Sequence, residues 1–154
     1  MLEVKINVVR EGATLPEYHT EGAAGFDLAI CEDTLVRPGE TVKAPLGLVI
    51  QAPEDHFLFI VPRSSTAKKW GVSLGNTVGI VDRDFCGPED ELALMLHRDA
   101  TSDIFGHRMT FQSMDVIPAG TRLAQGLFIP VTQALFVPQD EPIASTRGGW
   151  GSTG

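Results

Sequence analysis

Asp82 lies where acid–base chemistry is easiest to place. It follows the apolar residues Val78, Ile80 and Val81 in the stretch LGNTVGIVDRDFCG, Leu74 to Gly87. A carboxylate at the end of such a run can take a proton from water. The stretch resembles a hairpin, whose open backbone donors and acceptors could read the edge of a base, with the Asn76 amide adding a donor–acceptor pair. Phe85 offers a flat face to a sugar ring. The bland alternative is that Asp82 and Asp84 are turn residues ahead of Gly87.

Four further stretches break an otherwise repetitive pattern. In AAGFDL (23–28), Asp27 is either a turn cap or an oxygen ligand, direct or through water, for a hard cation such as magnesium. In PRSSTA (62–67), Arg63, Ser64 and Ser65 precede the one segment that reads as a helix. A helix N-terminus offers free amide donors, and an arginine adds bidentate recognition, so phosphate is the natural ligand; N-capping beside a surface arginine is the alternative. In RLAQGLFIPV (122–131), Gln125 is a polar residue inside an apolar strand, either site-facing or a satisfied core amide. The last stretch, STRGGWGSTG (145–154), sets Arg147 and Trp150 among glycines, where the ring could stack on a base only if the chain folds down.

The elements that must hold these residues are short strands. LEVKINVV, FDLAI, TVKAPL, GLVIQ, FLFIVP, TVGIV, ELALML, MTFQSMDVI, RLAQGLFIPV and ALFVP follow one another, separated by turn formers such as Pro38-Gly39 and Pro118-Ala119-Gly120. Sixteen glycines and ten prolines favour turns over long helices, and only SSTAKKW (64–70) reads as helical, with Ser64 or Ser65 as N-cap. An all-β sandwich or barrel follows, in one domain over 1–144 with a flexible tail over 145–154. The net charge of −8 disfavours nucleic-acid binding but leaves room for a small anion held by local cations. Cys31 and Cys86 have no metal-binding spacing and read as reduced thiols. No apolar run is long enough for a membrane helix, and a cytoplasmic location is the simplest expectation.

Taken in order, AAGFDL, PRSSTA, NTVGIVDRDFCG, RLAQGLF and RGGWGSTG resemble the five motifs of the trimeric dUTP pyrophosphatases, the dUTPases. The resemblance implies a jelly-roll-like β-barrel, assembled as a homotrimer with three sites shared between subunits. It implies hydrolysis of dUTP to dUMP and pyrophosphate, with Mg2+ chelated by the triphosphate. By position, Asp82 matches the base that activates the attacking water, and Asn76 the residue that helps the hairpin read uracil, with Val81 beside it at the substrate. Phe85 replaces a more usual tyrosine against deoxyribose. Arg63, Ser64, Ser65 and Gln125 match phosphate-binding positions, and Asp27 matches an aspartate near the metal through water. Arg147 and Trp150 match the tail's phosphate-contacting arginine and base-stacking aromatic.

The sequence departs from that pattern in three places. Arg147 is followed directly by GGW, a shorter link than usual. Glu89, Asp90 and Glu91 form an acidic insertion, expected to be a solvated turn. Gly126 follows Gln125 where a larger apolar residue is common, so packing there should differ. The insertion supports an alternative: the dCTP deaminases share the fold and use a glutamate in this general region, where Glu91 stands. A non-catalytic nucleotide-binding trimer is a third possibility, opposed by the presence of the base, the phosphate arginine and the tail.

Overall fold

The computed structural model describes residues 2–99 and 116–145. In chain order the elements are β1 (Lys5–Val8), β2 (Phe26–Ala29), β3 (Thr34–Leu35), β4 (Thr41–Pro45), β5 (Leu48–Gln51) and β6 (His56–Pro62). There follow α1 (Thr66–Trp70), β7 (Ser73–Leu74), β8 (Gly79–Val81), β9 (Ala93–His97), β10 (Val116–Ile117) and β11 (Arg122–Pro130). The all-β expectation holds, with one short helix among the described residues. Every strand pairing among the described residues is antiparallel, in sheets ordered β2-β11-β6-β8, β4-β9-β7, β1-β5 and β10-β3. Among the described residues these ladders stay separate and do not close into one hydrogen-bonded barrel.

Alternation fixes which side chains face the core. Leu58 and Ile60 of β6, Leu94 and Leu96 of β9, and Phe26 and Leu28 of β2 are buried, while the residues between each pair (Phe59, Met95 and Asp27) are partly open. They meet Ile30, Leu46, Leu48, Ile50, Ile117 and Leu123 in one cluster. Asp27, between two buried residues of β2, is turned to the other side of the sheet by the same two-residue period. Its partner across β11 is Gln125, which in turn faces Val61 of β6.

Gly126 packs as its sequence context suggested. A Cβ built there would lie 2.5 Å from Phe26 Cε2 and 3.0 Å from Leu58 Cδ1. The Phe26 ring fills that space, edge-on to Tyr18 at 5.6 Å between centroids and tilted against Phe128 at 5.4 Å. A larger residue at 126 and a phenylalanine at 26 exclude each other.

Four expectations need correction. The helix begins at Thr66, not Ser64, and the Ser65 N-cap makes no side-chain capping bond. Thr66 instead donates its hydroxyl to Leu123 O at 2.6 Å, pinning the helix to β11, and Gly71 ends it in a left-handed conformation. The segment 74–87 is not a hairpin ladder: β7 pairs with β9 and β8 pairs with β6, so the chain crosses between two sheets there. ALFVP (134–138) forms no strand; Leu135 and Phe136 are 88% and 89% exposed. A short apolar run becomes a strand only on a free edge, and this one pairs with none among the described residues of one copy.

The fourth correction concerns the acidic insertion. Glu91 is no solvated turn residue. Arg10 donates to it twice, Nε to Oε1 at 2.8 Å and Nη2 to Oε2 at 2.6 Å, and the Gly47 amide donates to Oε1 at 3.0 Å. The guanidinium holds the Glu91 carboxyl below the usual carboxylate range, and the carboxylate raises the Arg10 pKa in return. Asp90 accepts the Gly87 amide at 2.7 Å, and only Glu89 is fully open.

Candidate active site

Three of the five stretches converge on Asp27. β2 carries the carboxylate, β11 lies beside it, and the end of β6 delivers Arg63, whose amide donates to Leu123 O at 3.0 Å. The Asp27 side chain is only 10% exposed, and its Oδ1 receives Arg63 Nε at 3.0 Å. A carboxylate this enclosed is stable only with charged or hydrogen-bonding partners. Two of those partners were not singled out in the sequence: His19 Nε2 lies 2.8 Å from Oδ2, and Arg122 Nη1 lies 3.4 Å from the same oxygen. Arg122 Nη1 also contacts His19 Nε2 directly. Arg63 Nη1 reaches the Arg122 carbonyl at 3.4 Å.

Gln125 completes this region. A Cβ built on Gly25 would sit 3.2 Å from Gln125 Oε1 and 3.2 Å from Gly126 O, so glycine at 25 lets the loop press against β11. Ser64 is exposed and Ser65 half-buried at the turn that follows Arg63. The result is an open cluster with two fixed guanidiniums around one carboxylate, a surplus of positive charge in a chain of net charge −8. Such a cluster suits an oxyanion.

The second group lies elsewhere. Val81 ends β8 opposite Leu58 and packs against the core, which places Asp82 just past it, exposed. Asp82 O accepts the Phe85 amide at 3.2 Å, folding the turn so that Phe85 is 42% exposed. Asn76 is exposed in a tight turn in which Thr77 takes a left-handed φ of 64° and donates its amide to Leu74 O at 2.9 Å. Ile80 is 66% exposed beside them. The extended run from Leu58 to Arg63 spans about 16 Å, so Asp82 and Arg63 of one copy sit at opposite ends of β6. Arg147 and Trp150 lie outside the described residues.

A metal held by the protein alone does not fit these donors. Among the described residues no three His, Cys, Asp or Glu side chains converge on a cation position, and both Asp27 oxygens face basic groups. The arrangement fits a cation that arrives chelated by its own anion. His19 sat in a loop with no pattern, and only the guanidinium of Arg122, inside a quoted stretch, could have signalled the cluster.

Comparison with known proteins agrees along the whole chain. A family model described as dUTPase matches residues 11–154. The deoxyuridine 5'-triphosphate nucleotidohydrolase of Thiobacillus denitrificans is 39% identical over 158 residues, covering 99% of each chain. That of Neisseria meningitidis serogroup A is 35% identical, covering 99% of this chain and 96% of its own. Among solved structures, a dUTPase mutant of Staphylococcus bacteriophage 80alpha with dUpNHpp superposes with a TM-score of 0.77 at 18% identity, covering 99% of this chain and 98% of that one. A mutant dUTPase of phage phi11 of S. aureus, described for its coordination of a structural Mg(II) ion, gives 0.73 at 19% identity over 90% of this chain and 97% of its own.

Proposed function

The chain belongs to the dUTPase family, and from that premise we propose that it hydrolyses dUTP to dUMP and pyrophosphate at sites shared between three copies. One observation carries the reading. Residues 23–28, 62–67 and 122–131, far apart in sequence, meet on one carboxylate that holds two arginines. That is the phosphate end. Arg63, Ser64, Ser65 and Gln125 bind the triphosphate there, and the cations offset the charge spreading over the oxygens as the bond to phosphorus breaks.

Asp82 is the base. Its exposed carboxylate takes the proton of a water that attacks the α-phosphorus, while Asn76 and Val81 approach uracil and Phe85 packs on deoxyribose. Magnesium chelated by the triphosphate would offset charge on the phosphate oxygens, and Asp27 would lie near that chelate through water. Pyrophosphate is the leaving group. Arg147 and Trp150 close from the tail, the ring on the base and the guanidinium toward the phosphates.

The separation of Asp82 from Arg63 along β6 supports a site built between copies, because one substrate must touch both ends. The exposed apolar segment supports the same assembly, as does an apolar groove of about 370 Å³ lined by residues such as Leu2, Val4, Ile6, Tyr18 and Phe128. In a homotrimer each would have a second copy to cover it. Glu91 does not support deamination, since Arg10 and Gly47 take both of its oxygens. No helix among the described residues is long and apolar enough to cross a membrane; a cytoplasmic place remains part of the proposal.

One assay tests the reading. Pyrophosphate and ammonia release are measured with dUTP, dCTP, dTTP and UTP, with and without magnesium. Magnesium-dependent pyrophosphate release from dUTP, in clear preference to the others and without ammonia, is expected. Ammonia from dCTP, or binding of dUTP without hydrolysis, would overturn it.

A further inference from the structure

No strand lies between Val81, the end of β8, and Ala93, the start of β9, yet this stretch carries both Asp82 and Phe85. The turn they share has little to hold it from within. Phe85 donates its amide to Asp82 O at 3.2 Å, Cys86 donates to Asp84 O at 3.0 Å, and residues 82–85 are all exposed. Hydrogen bonds in such a place exchange with water and add little net stability. The restraint has to come from the residues that follow.

Those residues are the acidic insertion. Asp90 Oδ2 accepts the Gly87 amide at 2.7 Å, and Asp90 returns its own amide to Gly87 O at 3.1 Å. The two bonds close a small ring over 87–90, inside which Pro88 fixes one backbone angle. The shorter bond is charge-assisted, the stronger kind. The carboxylate also lies close over Gly87, since a Cβ built there would be 3.0 Å from Oδ2. The far side of the ring is moored to the sheets. Glu91 is gripped by Arg10 and the Gly47 amide, and Leu92 donates its amide to Leu48 O at 2.8 Å. On the near side Gln51 Nε2 donates to Cys86 Sγ at 3.4 Å, a weak bond. Asp90 is therefore the strong link between the moored Glu91 and the open turn.

We propose that Asp90 is a positioning residue for the nucleoside end of the site. By holding the Gly87 amide, its carboxylate sets the angle at which Phe85 meets the sugar, and with it the preference for deoxyribose over ribose. A ring rejects an added 2′-hydroxyl only while its distance from the sugar is fixed; a turn free to swing would make room for it. The proposal rests on the sugar-packing role given to Phe85 above, and it assigns Asp90 no contact with substrate.

The test uses the full chain and compares kcat/KM for dUTP and UTP. Calorimetric binding of inorganic pyrophosphate in magnesium serves as a control for the other end of β6. Asp90→Ala should lower the dUTP-over-UTP preference by roughly three- to thirtyfold, the worth of one charge-assisted hydrogen bond, with pyrophosphate binding unchanged. Asp90→Asn, whose amide oxygen can still accept from Gly87, should keep the parent's preference. Asp90→Glu retains the charge but carries the carboxylate one methylene further, and should lose preference as the alanine variant does. The asparagine and glutamate pair decides the matter if the alanine variant does not fold. The opposite order, with glutamate like the parent and asparagine impaired, would make charge rather than the Gly87 bond responsible and overturn the proposal. Pyrophosphate binding lost in step with preference would make Asp90 a prop of the whole fold, which also overturns it. If Phe85→Ala relaxes the preference and no Asp90 variant does, the proposal fails alone. If Phe85→Ala keeps the parent's preference, the role given to Phe85 fails and takes this proposal with it.

Discussion

At the scale of single residues, Asp82 and Gly126 carry the clearest expectations. Asp82 is exposed and makes its one described hydrogen bond through its backbone, so removing its charge should leave the fold intact. Asp82→Asn should cost about 3–5 kcal/mol of transition-state stabilisation, a rate loss of roughly 10²–10⁴-fold. Single-turnover kinetics with dUTP would read it, and near-normal turnover would remove Asp82 from the mechanism. Gly126→Ala should act on stability instead. Its Cβ would enter the Phe26 ring at 2.5 Å, and that ring is 4% exposed between Tyr18 and Phe128. Overpacking of this kind costs about 1–3 kcal/mol, which urea unfolding would detect. The glycine was legible in the sequence as a departure, but the ring that makes it necessary sits 100 positions earlier and could not be named from local pattern.

At the scale of elements, two-residue alternation located most strands, because a buried stripe on one face is written directly into the residue order. It failed where the decisive partner is remote. ALFVP is a short apolar run of the kind a buried strand shows, yet pairing depends on an edge that its own copy does not present. Glu91 looked like a solvated turn because nothing nearby announces Arg10, the residue that ties the end of β1 to the loop before β9. The cluster on Asp27 was half legible: Asp27, Arg63 and Gln125 stood out by type, whereas His19 acquires meaning only from the folded loop. The Arg10–Glu91 tie has a pH signature. Glu91 titrates below its unfolded value of about 4.3, so its stabilising contribution is complete above that pH and fades as the pH falls through the lower folded value. Glu91→Gln should therefore lower Tm at pH 7, with the gap to the parent narrowing below about pH 4. A gap independent of pH across that window would mean that packing, not charge, is the source.

At the scale of the whole molecule, the two halves of the proposed site lie at opposite ends of β6, and the segment after β11 is apolar and bare. Both features are accounted for if copies associate. Leu135→Asp combined with Phe136→Asp should leave the sheets of each copy folded, since neither side chain packs on them, and should break the assembly. Sedimentation would then report a smaller species, with turnover lost in step. A trimer that survives both charges would place the contact elsewhere.

The bare segment has a further consequence, for the order in which the protein is made. Every strand of the four sheets lies before residue 131, so the ribosome releases the apolar stretch only after its own ladders have been synthesised. By then the hydrogen-bonding partners within the copy are already spoken for. The stretch is thus biased in time toward meeting another chain, because its apolar side chains emerge only after every strand of the four sheets.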